Sequence, residues 1–522
     1  MVNLSVSAPH PFSALDPPQA RSVTPAMSMA SSVTKTAWRT RPSIRRPLDS
    51  RKPQFRFQSS TSTRLDHSLG AKATGAKETG AKDIEAKETS GALPTRQAAQ
   101  LGRGQSGRPL ARLSTSSILR TLLLSTFFKS PLLFKPGLAV FEKIANSPSV
   151  WLNPDRNPLL RMIVYPLVYK QFCAGRNQEE IARTSAEIRR LGFSGVVLCY
   201  GKEVQVQGDR FAGYDLGSAE GLNSEIAQWE DGNIKTLDMI GQGDWLGIKF
   251  TGAGTNITKA LMNGDAAPER FVKAIDRICE YAASKGCRIW IDAEQQYLQS
   301  TIDQWTIDLM RRYNTPGKQA LVYNTVQAYL KSARVKVQQQ LELADKENWR
   351  LGIKLVRGAY IANDIRDRIH DTKEDTDASY NGIVEDLLRG RFPAQANQQA
   401  DEVDLLLAGH NTQTIRAAAR LAVDLAADNK LKIRPEFGQL QGMADDIGCE
   451  LIQMAEDIKA DRVSFGADAY VPRVYKCLTW GSLQECMQYL TRRLIENRGA
   501  SDRMKVSATE FKQELLHRAG LR

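Results

Sequence analysis

Polar side chains recur along this chain just after short apolar runs: Lys249, Asp292 with Glu294, Gln327, Lys354 with Arg357, His410 with Asn411, and Gln439. Lys249, Lys354 and Arg357 set three cations against one carboxylate pair, a balance suited to a bound anion such as a carboxylate, a phosphate or a reduced flavin. A second source of cations is QYLTRRLIEN, where Arg492 and Arg493 are adjacent and Glu496 follows at i+4 and i+3. The bland role for such a pair is a helix-surface ion pair; its chemical role is bidentate capture of a carboxylate. No HExxH, Walker sequence, spaced GxGxxG or GxSxG elbow accompanies these residues. Seven cysteines without a CxxC pair indicate neither a disulfide framework nor a zinc site, and fit a reducing compartment.

The elements that must position these groups show in the apolar pattern. Short runs rich in β-branched residues span 194–200, 247–250, 288–293, 321–327, 352–356, 402–408, 433–439 and 462–466. Helical patterns separate them, as in 268–285, with Ile275, Ile278, Cys279 and Ala282 on one face, and 412–428, with Ile415, Ala418, Ala419 and Leu421. Eight strands alternating with helices predict an α/β fold, a TIM-like (β/α)8 barrel whose site lies at the carboxyl ends of its strands. The recurrence of polar groups at six such ends is what sets them apart from ordinary satisfied polar residues.

Charge locates the rest. The 522 residues carry a formal +13. Residues 1–145 hold 22 Lys or Arg and 8 Asp or Glu, a net of +14, so the remainder holds 49 against 50, a net of −1. A neutral body with its basic excess in a leader argues against nucleic-acid binding, which places cations on the domain that meets phosphate. Residues 1–64, with eight Arg, only Asp16 and Asp49 as acids, and many Ser and Thr, are expected to be a disordered mitochondrial transit segment. Residues 65–110, containing GAKATGAKETGAKDIEAKET, read as a low-complexity linker. A helical arm is expected over 111–160 and the barrel over 161–515. Within the arm, 118–145 is apolar but interrupted by Arg120, Lys129, Lys135 and two prolines, which suits an interfacial or tucked helix better than a membrane span.

At KLVRGAY (354–360), with IDAE (291–294), GHN (409–411), GQLQGM (438–443) and YLTRR (489–493), the sequence resembles the proline dehydrogenase family, in motif order and spacing, over about residues 140–510. The resemblance implies a flavoprotein on a distorted (β/α)8 barrel that oxidises L-proline to 1-pyrroline-5-carboxylate with FAD. In eukaryotes such enzymes pass electrons to membrane quinone at the mitochondrial inner membrane, which implies peripheral contact there on the matrix side. It further implies that Lys354 is the basic side chain near flavin N5 and that Asp292 lies on the floor of the site. Ala293, Gln327, Val356, Arg357, Gly358, Gly409 and His410 would contact the flavin. Lys249, Arg492 and Arg493 would cage the substrate carboxylate, with Tyr489 beside the ring.

One position departs from the family pattern. Twelve residues before Tyr489, where the family usually carries a Tyr that shields the substrate ring, stands Cys477. Tyr475 and Trp480 are close but out of register. Related hydroxyproline dehydrogenases also carry a smaller residue there. Oxidation of hydroxyproline or another cyclic imino acid is therefore the first alternative, and a non-catalytic paralogue that keeps the barrel is the second.

Overall fold

The computed structural model describes residues 107–521 except 148, 201–205, 208–209, 212–218, 362, 398–402, 462–464, 467 and 497–500; the side chains of 128–129, 131, 206–207, 210–211, 219–220, 222, 396–397, 492–496 and 501–507 also lie outside the description. The expected transit segment, and all but the last residues of the linker, fall outside the described residues.

Eight parallel strands close a barrel: β1 (Gly195–Tyr200), β2 (Trp245–Ile248), β3 (Arg288–Ile291), β4 (Val322–Gln327), β5 (Leu351–Val356), β6 (Val403–Ala408), β7 (Glu436–Leu440) and β8 (Arg473–Trp480). Each pairs with its neighbours in sequence, and β8 closes onto β1. Seven of the expected runs overlap observed strands. The eighth does not: Phe465 is helical, and the closing strand is RVYKCLTW. Its charged residues hid it. Lys476 faces out of the barrel, is 1% exposed, and donates to Asp445 at 2.5 Å. Arg473 pairs with Glu436 at 2.9 Å. Burial of paired charges broke the apolar run that signals an internal strand.

Alternation along each strand sorts side chains between two cores. Outward residues such as Ile289, Ile291, Ile353 and Leu405 meet the surrounding helices. The helix Glu269–Ser284 buries Phe271, Ala274, Ile275, Ile278, Cys279 and Ala282, one stripe at helical spacing. A fully buried side chain of this kind contributes about 1.5–3 kcal/mol. Thr412–Ala427 starts on an Asn411 cap whose side chain accepts from Thr414 N, and buries Ile415, Ala418 and Ala419, while Leu421 is half-buried.

The inward core is aromatic. Trp245, Tyr323, Leu406 and Tyr475, one from every second strand, cluster with Val197 and Trp290, and the Trp245 ring meets Tyr323 edge-on at 4.6 Å between centroids. Below them Arg288 pairs with Glu436 at 2.5 Å, donates to Tyr475 Oη at 2.8 Å, and stacks on Trp245 at 3.7 Å. This plug closes the amino-terminal end of the barrel. Chemistry is left to the other end.

The arm comprises α1 (Thr115–Lys129) and α2 (Pro131–Asn146). Its root is tied down by Arg112, which bonds Glu456, and by Arg518 of the C-terminal helix, which donates to the carbonyls of Leu110, Ala111 and Leu113. Among the described residues no single helix is long and apolar enough to cross a membrane; Thr115–Phe127 and Leu132–Asn146 reach that threshold only together, and they bend by 104°.

Candidate functional site

Lys249 directly follows β2, Asp292 and Ala293 follow β3, Gln327 ends β4, Lys354 and Val356 lie on β5, and Gly409 and His410 follow β6. All of them therefore stand at the carboxyl end of the barrel. Lys354 and Asp292 face inward by the same alternation that turns Trp290 inward, and Lys354 Nζ donates to Asp292 Oδ1 at 2.6 Å. The Lys354 side chain is 8% exposed and its ammonium sits 3.8 Å from the centre of the Trp290 ring. Lys249 Nζ lies 3.5 Å from Tyr360 Oη, on the loop that leaves β5. Gln327 clamps two strand ends, accepting from Ala359 N and donating to Glu294 O, both at 3.4 Å.

Arg357 turns to the rim. Its Nε donates to Asp377 at 2.6 Å, its Nη2 to Thr414 Oγ1 at 2.7 Å, and its plane lies 4.5 Å from the Tyr380 ring. Its Nη1 is buried with no hydrogen-bond partner among the described residues. A guanidinium N–H left unsatisfied in a native fold calls for an acceptor from elsewhere. The N-terminus of Thr412–Ala427, two residues before Thr414, adds the positive end of a helix dipole. Gly409 leaves this spot open: a Cβ there would stand 3.6 Å from Arg357 Nη1. His410 Nε2 accepts from Leu440 N at 3.0 Å, which places its ring proton on Nδ1. This donor set fits a phosphate-bearing cofactor. At Gly358, φ is +146° and a Cβ would meet the Tyr329 ring at 2.5 Å, so glycine is required for the turn that carries Arg357 to the rim.

Burial opposes ionisation of Asp377, but hydrogen bonds from Lys373 and Arg357 outweigh it and hold the carboxyl below its ordinary value. A depressed acid stabilises the fold above its unfolded value, about 3.9, and the contribution is lost as pH falls through the folded value. The urea midpoint of Asp377→Asn should therefore lie below that of the parent protein at pH 6 and approach it near pH 3. An equal gap at both values would refute the linkage.

Two side chains named from the sequence turn elsewhere. Gln439 faces outward, with Oε1 2.9 Å from where Gly448, on the helix Asp445–Ala460, would carry a Cβ. It lies beside the buried Lys476–Asp445 pair's strand and helix, and not at the mouth, because inward positions on β7 fall at Glu436 and Gly438. Glu294 is 5% exposed and accepts from Thr251 N and Oγ1, so it braces a loop. Tyr489 is half-buried on the helix Leu483–Glu496, which also carries Arg492 and Arg493. The side chains of those two arginines lie outside the described residues.

Cys477 faces inward from β8, and its Sγ is 3.8 Å from Cys199 Sγ on β1. The hydrogen bond to Cys477, then burial, pushes the Cys199 thiol well above its ordinary pKa, so it stays protonated. Neither neighbouring aromatic replaces the missing ring: Tyr475 is committed to Glu436 and Arg288, and Trp480 donates to Thr236 Oγ1. Trp290, Cys199 and Tyr360 were not singled out from the sequence. For Trp290 the signal was present, since period two puts it on the face of Asp292; for Tyr360, on an irregular loop, there was none.

A closed parallel (β/α)8 barrel with a buried Lys–Asp pair and an anion-seeking rim at its carboxyl end defines the class of TIM-type barrels that work through that face. The family model described as proline dehydrogenase matches residues 181–506, and the chain belongs to that family. It is 33% identical over 260 residues to a Schizosaccharomyces pombe protein named probable proline dehydrogenase, mitochondrial, covering 48% of this chain and 50% of that one. Over 239 residues it is 34% identical to the Homo sapiens protein named proline dehydrogenase 1, mitochondrial, covering 44% and 35%. The matches thus span half or less of these relatives' lengths. The barrel is similar to that of proline utilization A from Bdellovibrio bacteriovorus, inactivated by N-propargylglycine, with a TM-score of 0.55, 17% identity, and coverage of 77% of this chain and 41% of that one. At that identity the likeness speaks for the fold alone.

Proposed function

We propose that the protein is a mitochondrial, FAD-dependent proline dehydrogenase that oxidises L-proline to 1-pyrroline-5-carboxylate and delivers the electrons to membrane quinone. The observation that carries this reading is the buried Lys354–Asp292 pair inside the carboxyl end of a barrel of this family. When bound, FAD supplies a hydride acceptor. Arg357, through its open Nη1, with Gly358, Gly409 and His410, would hold the phosphate-bearing part of the cofactor, and Ala293, Gln327 and Val356 would line the remainder. Lys249, Arg492 and Arg493 would cage the substrate carboxylate and Tyr489 would lie along the ring, which would fix one ring carbon in place. Oxidation next to nitrogen needs the neutral amine, so the site must hold the substrate without its ammonium proton. Lys354, held by Asp292, keeps a positive charge where negative charge develops.

Membrane delivery of electrons suits the surface of the arm. Among the described residues, ten of the fifteen exposed large hydrophobic residues fall within 119–163, on the arm and the segment that follows it, among them Leu132 at 87% and Trp151 at 81% exposure. The same stretch holds six Lys or Arg and two acids, which matches an anionic lipid surface.

Anaerobic titration of the purified protein with L-proline tests cofactor, substrate and reaction together. The expected result is a yellow protein whose flavin absorbance bleaches; a colourless protein, or a spectrum indifferent to proline, would overturn the proposal. The thiol floor at Cys477 supports one second reading, a hydroxylated ring. Proline remains preferred because a small side chain permits a hydroxyl without demanding one. A higher kcat/KM for trans-4-hydroxy-L-proline would reverse that choice.

A further inference from the structure

We infer that Trp290 is a positioning residue for Lys354, and that Gly247 is the space that lets it serve. The inference rests on the role given to Lys354 above. Lys354 has a long, flexible stem, and one hydrogen bond to Asp292 leaves its ammonium free to swing about that bond. The Trp290 ring removes this freedom by presenting a π face 3.8 Å from Nζ, on a side chain only 3% exposed. Carboxylate and ring face together define one place for the charge. In a buried site, where water does not compete, an indole is the strongest such face.

The ring itself is held by shape. Its Nε1 is buried with no hydrogen-bond partner among the described residues, so packing alone sets its orientation. It packs against Trp245, with centroids 5.9 Å apart, and against the backbone of Gly247 on β2. A Cβ at Gly247 would lie 2.7 Å from Trp290 Nε1 and 2.5 Å from Cys199 Sγ, closer than either atom allows. Any other residue at 247 would tilt the indole and carry Lys354 with it. A buried polar N–H left unpaired is a cost that ordinary packing would avoid by using Phe or Leu.

Two readouts on the purified holoenzyme test the assignment. The first is competitive acylation of lysines at fixed pH, with the label on Lys354 quantified by mass spectrometry. Trp290→Leu should raise its labelling about tenfold, the ~1.4 kcal/mol equivalent lying within the range for a desolvated cation–π contact. Trp290→Phe, which keeps a π face, should recover most of the protection, and Gly247→Ala should expose Lys354 with the indole still present. Unchanged labelling in both Trp290→Leu and Gly247→Ala would overturn the inference. The second is the two-electron potential of the bound flavin in a double-mutant cycle of Trp290→Leu with Lys354→Met. Trp290→Leu should lower the potential alone and add nothing once Lys354 is gone; full additivity would show that Trp290 acts independently and would also overturn the inference. A potential indifferent to Lys354→Met, with labelling as expected, would instead remove the proposed role of Lys354 and leave its positioning by Trp290 standing.

Discussion

Replacing Glu436 by Gln should destabilise the fold by ~3–5 kcal/mol, the effect of breaking a buried ion pair from one side. Glu436 and Arg288 side chains are 9% and 6% exposed, and Arg288 also serves Tyr475, Tyr323 and the Trp245 face. Losing the carboxylate strands a guanidinium only 6% exposed in an aromatic plug, where little water can solvate it. Arg473, at 47% exposure, pairs with the same carboxylate and loses less, because solvent reaches it. The measurement is the urea midpoint at unchanged m. The double substitution Arg288→Met with Glu436→Leu should cost less than Glu436→Gln alone, since it removes both charges and leaves only packing to be repaired. If the double substitution is the worse of the two, the pair stabilises the barrel by attraction beyond its desolvation cost, contrary to this expectation.

Lys354→Met should lower kcat by about 10²–10³, the loss seen when a preorganised charge is removed from a water-poor site, with a much smaller change in the KM for proline. Methionine keeps the length of the stem and can still rest on Trp290, so the variant isolates the charge. Asp292 would be left without its partner at 22% exposure, where solvent can supply one. Flavin should remain bound, because the open guanidinium of Arg357 and the helix N-terminus at Thr412 are elsewhere on the rim. Rapid-mixing measurement of flavin reduction under anaerobic conditions separates chemistry from binding. A fall confined to KM would transfer Lys354 from stabilising charge to holding substrate.

The barrel was legible where strands are buried on both faces and flanked by amphipathic helices. Runs such as LVYNTVQ and GIKLV announce themselves because parallel strands carry apolar residues on both sides. Legibility failed at RVYKCLTW, where Lys476 is hidden by Asp445, a residue 31 positions away. The same limit applies to the polar strand ends. Asp292 and Gln439 look equivalent in sequence, yet one reaches the interior and the other a helix, because the outcome turns on whether the residue is in phase with the inward face.

By itself the sequence determined the order of seven of the eight strands and the helices between them, the family through its five motifs, and the restriction of basic excess to residues before 146. Local patterns suffice for these, since periodicity, composition and motif spacing are properties of neighbouring residues. Only the tertiary structure decided that Lys354 is held between Asp292 and Trp290, that Arg357 is committed to Asp377 and Thr414 with one N–H open, and that Cys477 meets Cys199. Those contacts join strands and loops far apart in the chain, and closing the barrel is what brings them within reach. The three cations that seemed a shared surplus at the mouth are thereby divided: Lys354 paired within the barrel, Arg357 at its rim, and Lys249 beside Tyr360.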